Sequence, residues 1–195
     1  ERIQLPLRGD QDGLTKYFYL RRNVLKALVD MPGNKFYAVN THLTAFATDD
    51  TKQKHITGFK SVLDNIAAEG KHFVAGGDLN ELPPNALKTD YCIEDQCSNE
   101  SYHTGGDTEH KEGAYFTPEI TWLNPFYNTY APAITLLDYE DNESDHFTHS
   151  PDNNLKLDRK LDYLWTNTEW ISSKTHKEAT KLSDHIPVSA VWEIK

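Results

Sequence analysis

Little in this chain of 195 residues is apolar for long: no stretch approaches the roughly 18 uninterrupted apolar residues of a membrane-spanning helix, and mean hydropathy is −0.69. Basic residues are also scarce, 20 Lys and Arg against 30 Asp and Glu, so the formal charge is −10. Such a balance disfavours a broad basic surface that grips nucleic acid by displacing counterions. Internal repeats and low-complexity segments are lacking, and the length suits one domain with a substantial core. There is no visible signal peptide and no initiating Met, so the expectation is that an upstream region precedes Glu1. The two cysteines, Cys92 and Cys97, stand in a polar loop. Their spacing permits a small disulfide ring or two free thiols, whereas metal binding lacks a second cysteine pair. An oxidised pair would indicate a secreted or periplasmic setting.

What is present reads as layered α and β. Tyr17 to Asp30 predicts a long strand and Lys35 to Thr41 the next, joined as a hairpin by the turn signal Pro32-Gly33-Asn34. From Asp50 or Thr51 to Glu69, the apolar Ile56, Phe59, Val62, Leu63 and Ile66 recur at three and four residues, which predicts an amphipathic helix stopped by Gly70. His72 to Ala75 predicts a short buried strand, Leu161 to Thr166 another, and the alternation through Val188, Ala190, Trp192 and Ile194 a last one. Residues 82 to 155, rich in Pro, Asn, Asp, Thr and aromatics, read as long loops with a few short elements. Their Trp122, Phe126, Tyr127 and Tyr130 suit either packing of the loop on the core or stacking against a base, sugar or lipid headgroup.

Four segments join strand-like runs to carboxylate, amide or imidazole groups: Asn40-Thr41-His42-Leu43, Gly76 to Glu81, Lys160 to Trp165 and Ser183 to Val188. Hydrolysing a phosphate ester requires activating water beside an anionic centre, and Mg²⁺ with oxygen ligands on strand ends meets that need. If the chain stays extended, Asp78 and Asn80 face one point, the carboxylate to accept a proton from water and the amide to hold that water or a phosphate oxygen. The glycines before them would let backbone and substrate approach closely, although a glycine turn followed by an Asx cap explains the same residues. Asp162, a carboxylate among apolar neighbours, needs a partner. His185 is the natural one, and its imidazole would then be held protonated; a salt bridge to Arg159 or Lys160 is the competitor. Asp184 and His185 would face opposite ways, toward a metal and a phosphate respectively. His42 ends a strand as either a structural or a catalytic histidine. A zinc hydrolase built on the histidines fits less well, because no His-x-x-x-His pair occurs and His42 and His185 stand among oxygen ligands suited to a harder ion.

Taken in order, these four segments resemble the endonuclease/exonuclease/phosphatase superfamily, over roughly Arg21 to Ile194. The resemblance implies one domain over residues 1–195, a four-layered α/β sandwich of the deoxyribonuclease kind, and Mg²⁺-dependent cleavage of a phosphate ester by in-line attack of water, with Mn²⁺ or Ca²⁺ as other ions. It implies that Asp78 activates the nucleophile, Asn80 positions it, His185 oriented by Asp162 contacts the phosphate, His42 stabilises its developing charge, and Asp184 supports the metal. It also places a first strand ending in Asn, and a Gln-Glu whose glutamate is the principal metal ligand, upstream of residue 1. Three readings of that difference stand side by side: another chain or a swapped copy supplies the segment, the chain is a fragment, or the metal site is rebuilt. The expected substrate is a nucleic acid or other phosphodiester, ahead of a sugar, inositol or lipid phosphate ester. An inactive phosphate-binding module is the alternative of another class.

Overall fold

The computed structural model describes residues 1–45, 47, 49–86, 121–150, 156–179 and 182–193. The hairpin begins later than the sequence pattern predicts. Asp12 accepts hydrogen bonds from the backbone N–H of Leu14 and Thr15, both at 2.9 Å, and so caps a short helix α1 (Gly13–Phe18) where a strand is expected. After β1 (Arg2–Gln4), the strand β2 therefore runs only from Asn23 to Met31 and pairs antiparallel with β3 (Asn34–His42). Gly33, at φ +85°, makes the turn between them.

Helix α2 (Thr51–Ala68) follows as expected, burying Ile56, Phe59, Val62, Leu63 and Ile66, and Gly70 at φ +69° ends it. The helix carries the chain across to β4 (His72–Asp78), which lies parallel to β3. Two short helices, α3 (Asn124–Tyr127) and α4 (Leu136–Asp141), flank the two-residue β5 (Ala131–Pro132). Then come β6 (Asp162–Thr166), β7 (Trp170–Thr175) and β8 (Val188–Trp192). The large sheet has the order β1-β2-β3-β4-β6-β5, and β7 and β8 form a second sheet.

The period of two along each strand sorts the residues onto two faces. Val39 of β3, Phe73 and Ala75 of β4, and Tyr163 and Trp165 of β6 pack with Phe59, Leu63 and Ile66 of α2 in one core. Their alternates, including Asn40, His42, Asp78 and Asp162, fall on the opposite face. There the small sheet lies: Trp192 meets Phe36 edge-on at 5.0 Å, and Ile186, Pro187 and Val188 border the same cleft as Ala38, Val74 and Leu164. Helix, large sheet and second sheet thus stack in the mixed α/β order expected.

The aromatic loop residues are core rather than a stacking platform. Phe126 is fully buried and stacked on Phe59 at 5.5 Å, Tyr127 stands edge-on to Trp165 at 4.8 Å, and Tyr130 edge-on to Phe73 at 5.1 Å, with Trp122 packed against the same cluster. Burying these rings against α2 removes far more apolar surface from water than a loop tip would. Cys92 and Cys97 lie outside the described residues.

Candidate active site

Sheet register brings the first three site residues level. His42 is the partner of Asp78 across the parallel β3–β4 ladder, and Asp78 is the partner of Asp162 across the antiparallel β4–β6 ladder. Backbone hydrogen bonds carry the alignment past the strand ends, Leu43 N–H to Asp78 O and Leu79 N–H to Leu161 O, both 2.9 Å. The two glycines before Asp78 have a different task from the expected one. A Cβ on Gly76 would collide with the carbonyl oxygen of Tyr163, and one on Gly77, at φ +138°, with that of Thr41. They serve close approach of the flanking strands, not of substrate.

Asp78 is the hub. Its Oδ2 lies 3.2 Å from His42 Nε2 and 3.8 Å from His185 Nε2, and accepts a hydrogen bond from Asn80 Nδ2 at 3.1 Å. Asp78 and Asn80 converge through the Asx alternative rather than through an extended chain. The chain leaves the extended conformation: Asp78 Oδ1 accepts from the Asn80 backbone N–H at 2.8 Å, and Asn80 turns into the left-handed region at φ +49°. It is an Asx turn that folds the amide back onto the carboxylate, and Asn80 Nδ2 also reaches Leu43 O at 3.1 Å.

Asp162 takes the expected partner. His185 Nδ1 and Asp162 Oδ2 are 2.7 Å apart. Neither competitor binds that carboxylate in a salt bridge: Arg159 pairs with Asp158 at 2.6 and 2.8 Å, and Lys160 donates to the backbone oxygen of Asp162 at 2.8 Å. Thr148 Oγ1 accepts from the backbone N–H of both Leu161 and Asp162, at 3.0 and 3.1 Å, which fixes the start of β6. Thr148 and Lys160 are thus supports that the sequence reading did not identify, since the contacts join chain segments with no common pattern.

The electrostatics divide the two imidazoles. The hydrogen bond to Asp162 pushes the His185 pKa up, with further help from Asp162, Asp78 and Asp184 charges. Burial pushes His42 down, opposed by Asp78 and assisted by Arg22 and His185. Burial also raises the Asp78 carboxyl, as does the charge of Asp162, against the Asn80 hydrogen bond and the two histidines. The two imidazoles are thus shifted in opposite senses, His185 toward the protonated and His42 toward the neutral form, beside a carboxyl shifted toward its protonated form.

Asp184 is exposed and accepts from its neighbour Ser183 Oγ at 2.8 Å. Its surroundings differ from the oxygen-only set anticipated. A ligand atom of Asp184, one of His185 and one of His149 lie within 4.8 Å of one another, and the two imidazole rings meet at 4.7 Å. His149 escaped the sequence reading because it reaches His185 only through tertiary pairing. Asp184 with His149 and His185 thus forms a group able to hold a divalent ion, and the paired carboxylates of Asp78 and Asp162, partners across the β4–β6 ladder, present the oxygen donor type that fits Mg²⁺.

No family model matches the chain, and no curated protein matches it. Solved structures match it in fold. One is an endonuclease/exonuclease/phosphatase protein from Beutenbergia cavernae, 18% identical, covering 97% of this chain and 43% of that one, at a TM-score of 0.55. Another is the APE2 catalytic domain of Xenopus laevis, 16% identical, covering 87% and 54%, at 0.50. A third is a mannosyl-6-phosphatase of Bacteroides thetaiotaomicron, 12% identical, covering 89% and 58%, at 0.50. The chain spans about half the length of these structures. With helix, large sheet and second sheet in that arrangement, this chain has the fold of the endonuclease/exonuclease/phosphatase proteins.

Proposed function

We propose that the protein is a metal-dependent phosphoester hydrolase of the endonuclease/exonuclease/phosphatase superfamily, acting on phosphodiesters. The observation that carries this reading is the convergence on Asp78 Oδ2 of His42, Asn80 and His185. Asp78, raised toward the range of a working base, takes the proton of a water that Asn80 helps to position. His185, protonated through Asp162, donates from Nε2 to a non-bridging phosphoryl oxygen as charge develops there. Neutral His42 lines the other side of the phosphate and donates without adding charge. The P–O bond to the leaving alkoxide breaks as the water oxygen bonds to phosphorus, and the alkoxide takes a proton from solvent, to which Asp78 in turn releases the one it accepted. Asp184, with the oxygens of Asp78 and Asp162, would hold Mg²⁺, which when bound polarises the phosphoryl group and neutralises the leaving oxygen.

A diester is favoured over a monoester by charge. His185, Arg22 and Lys160 are positive groups felt at the cluster, against the three carboxylates of Asp78, Asp162 and Asp184, which suits a monoanion better than a dianion. The acidic body of the protein, at a formal −10, fits a small or single-stranded phosphodiester better than a gripped duplex. The test is hydrolysis of bis(p-nitrophenyl) phosphate with Mg²⁺ and with EDTA, against p-nitrophenyl phosphate for comparison. Mg²⁺-dependent turnover of the diester is expected, reduced roughly 10²–10⁴-fold in Asp78→Asn. Turnover indifferent to EDTA, or an Asp78→Asn protein that keeps a tenth of the rate, would refute the assignment.

A further inference from the structure

The cluster of His149, Asp184 and His185 is built differently from the rest of the site, and we infer that it is a binding site for one transition-metal ion of the Zn²⁺ class, which shares Asp184 with the oxygen ligands of the proposed Mg²⁺ set and adds two imidazole nitrogens. The inference does not depend on the hydrolytic reading.

Three features support it. The first is preorganisation by backbone. Ser150 N–H donates to Asp184 O and Ile186 N–H to Thr148 O, both at 2.8 Å, so the segment holding His149 lies alongside the one holding Asp184 and His185. On its other side the same segment is fixed to Arg159, whose carbonyl accepts from Thr148 N–H at 2.8 Å and His149 N–H at 3.1 Å. Two histidines far apart in sequence thus have ring centroids 4.7 Å apart in a short three-segment ladder rather than on a loose loop.

The second is the state of the ring nitrogens. His185 Nδ1 is bound to Asp162 at 2.7 Å, an arrangement that fixes the tautomer, raises the basicity of the outward nitrogen and leaves Nε2 as the atom able to coordinate. His149 Nδ1 is buried with no hydrogen-bond partner among the described residues, and Asp158 Oδ1, 3.9 Å away, belongs to a carboxylate paired with Arg159.

The third is donor type and reach. Two imidazole nitrogens and one carboxylate, with a fourth position open, suit Zn²⁺ better than Mg²⁺. Ligands about 2.0–2.2 Å from a tetrahedral ion stand roughly 3.4 Å apart. The present atoms are within 4.8 Å of one another, so binding draws the groups together, and Asp184, the exposed member, is the least constrained by burial.

Occupancy takes His185 Nε2 away from the phosphate, since the atom that would ligate the ion is the one 3.8 Å from Asp78. Zn²⁺ is therefore expected to inhibit hydrolysis supported by Mg²⁺. The primary test needs no activity: titrate the protein with Co²⁺, follow the intense visible absorption of a four-coordinate ion, and displace it with Zn²⁺. One Co²⁺ per chain with micromolar or tighter affinity is expected. The His149→Ala and Asp184→Asn proteins should each bind at least tenfold more weakly, and His149→Gln serves if the alanine variant does not fold. If the chain hydrolyses the diester, Zn²⁺ should inhibit the parent at concentrations at least tenfold below those needed for the His149→Ala protein. Co²⁺ bound equally well by the His149 variants, or bound only at millimolar concentration, overturns the inference, whatever the outcome for hydrolysis.

Discussion

Asp162→Asn keeps the shape of the side chain against His185 but removes the charge that holds the imidazole protonated. The 2.7 Å contact belongs to the charge-assisted class, worth about 1.5–3 kcal/mol when one partner is ionised. The two side chains are 29% and 21% exposed, so water screens part of the interaction and the lower end of that range is expected, with the His185 pKa falling in the variant. Asp78 and Asp184 still raise His185 there, while burial lowers it. The assay is an NMR titration of the His185 ring in both proteins, run beside pH–rate profiles. The alkaline limb of the rate should move to lower pH by the same amount as the imidazole, because the reaction needs the imidazolium. The sign of the stability effect follows as well: a histidine raised above its unfolded value of 6.5 contributes fully below that pH and loses its contribution as pH rises through the folded value. The stability deficit of Asp162→Asn should therefore be largest below pH 6.5 and shrink on the alkaline side. A His185 titration that does not move in the variant would refute the pairing and the role built on it.

Gly77→Ala sets a Cβ against the Thr41 carbonyl at φ +138°, so a loss of at least roughly 1–3 kcal/mol from backbone strain is expected in urea unfolding, together with loss of the His42–Asp78 alignment. A stability unchanged from the parent would show that the strands can separate freely there. Lys160 is fully buried and its pKa is lowered to about 8 by burial, from an ordinary 10.5. Between those values the unfolded chain holds a proton that the folded one has released, so stability should rise with pH across that window by up to roughly 3 kcal/mol. Lys160→Met should flatten that rise, and a slope that persists in the variant would assign it to other groups.

The candidate cluster is legible because three of its members stand at strand ends, His42 and Asp78 closing β3 and β4 and Asp162 opening β6. Alternation put His42, Asp78 and Asp162 on the face away from α2, and a strand that begins or ends on a charged residue exposes it at the sheet's end, so local pattern and site location coincide. Local hydrogen bonds decide the detail: Asp12 caps a helix over Gly13–Phe18, so Tyr17 and Phe18 are helical where a strand is expected, and of the two readings of Asp78 to Asn80 the Asx turn holds rather than the extended chain. Of the two readings of the aromatic residues from Trp122 to Tyr130, packing holds, because they lie in the core beside Phe59 and Trp165.

The sequence by itself determined the amphipathic helix α2, the strands on either side of it, and the chemical identity of the Asp78–Asn80 and Asp162–His185 pairs, because each depends on periodicity or on a charge that needs a partner. Tertiary structure alone decided which charges meet. The side-by-side register of β3, β4 and β6 placed His42 and Asp162 on either side of Asp78, and the backbone pairing of Thr148–Ser150 with Asp184–Ile186 brought His149 to His185. Contacts of that kind depend on how separate segments align in space, which no local spacing encodes.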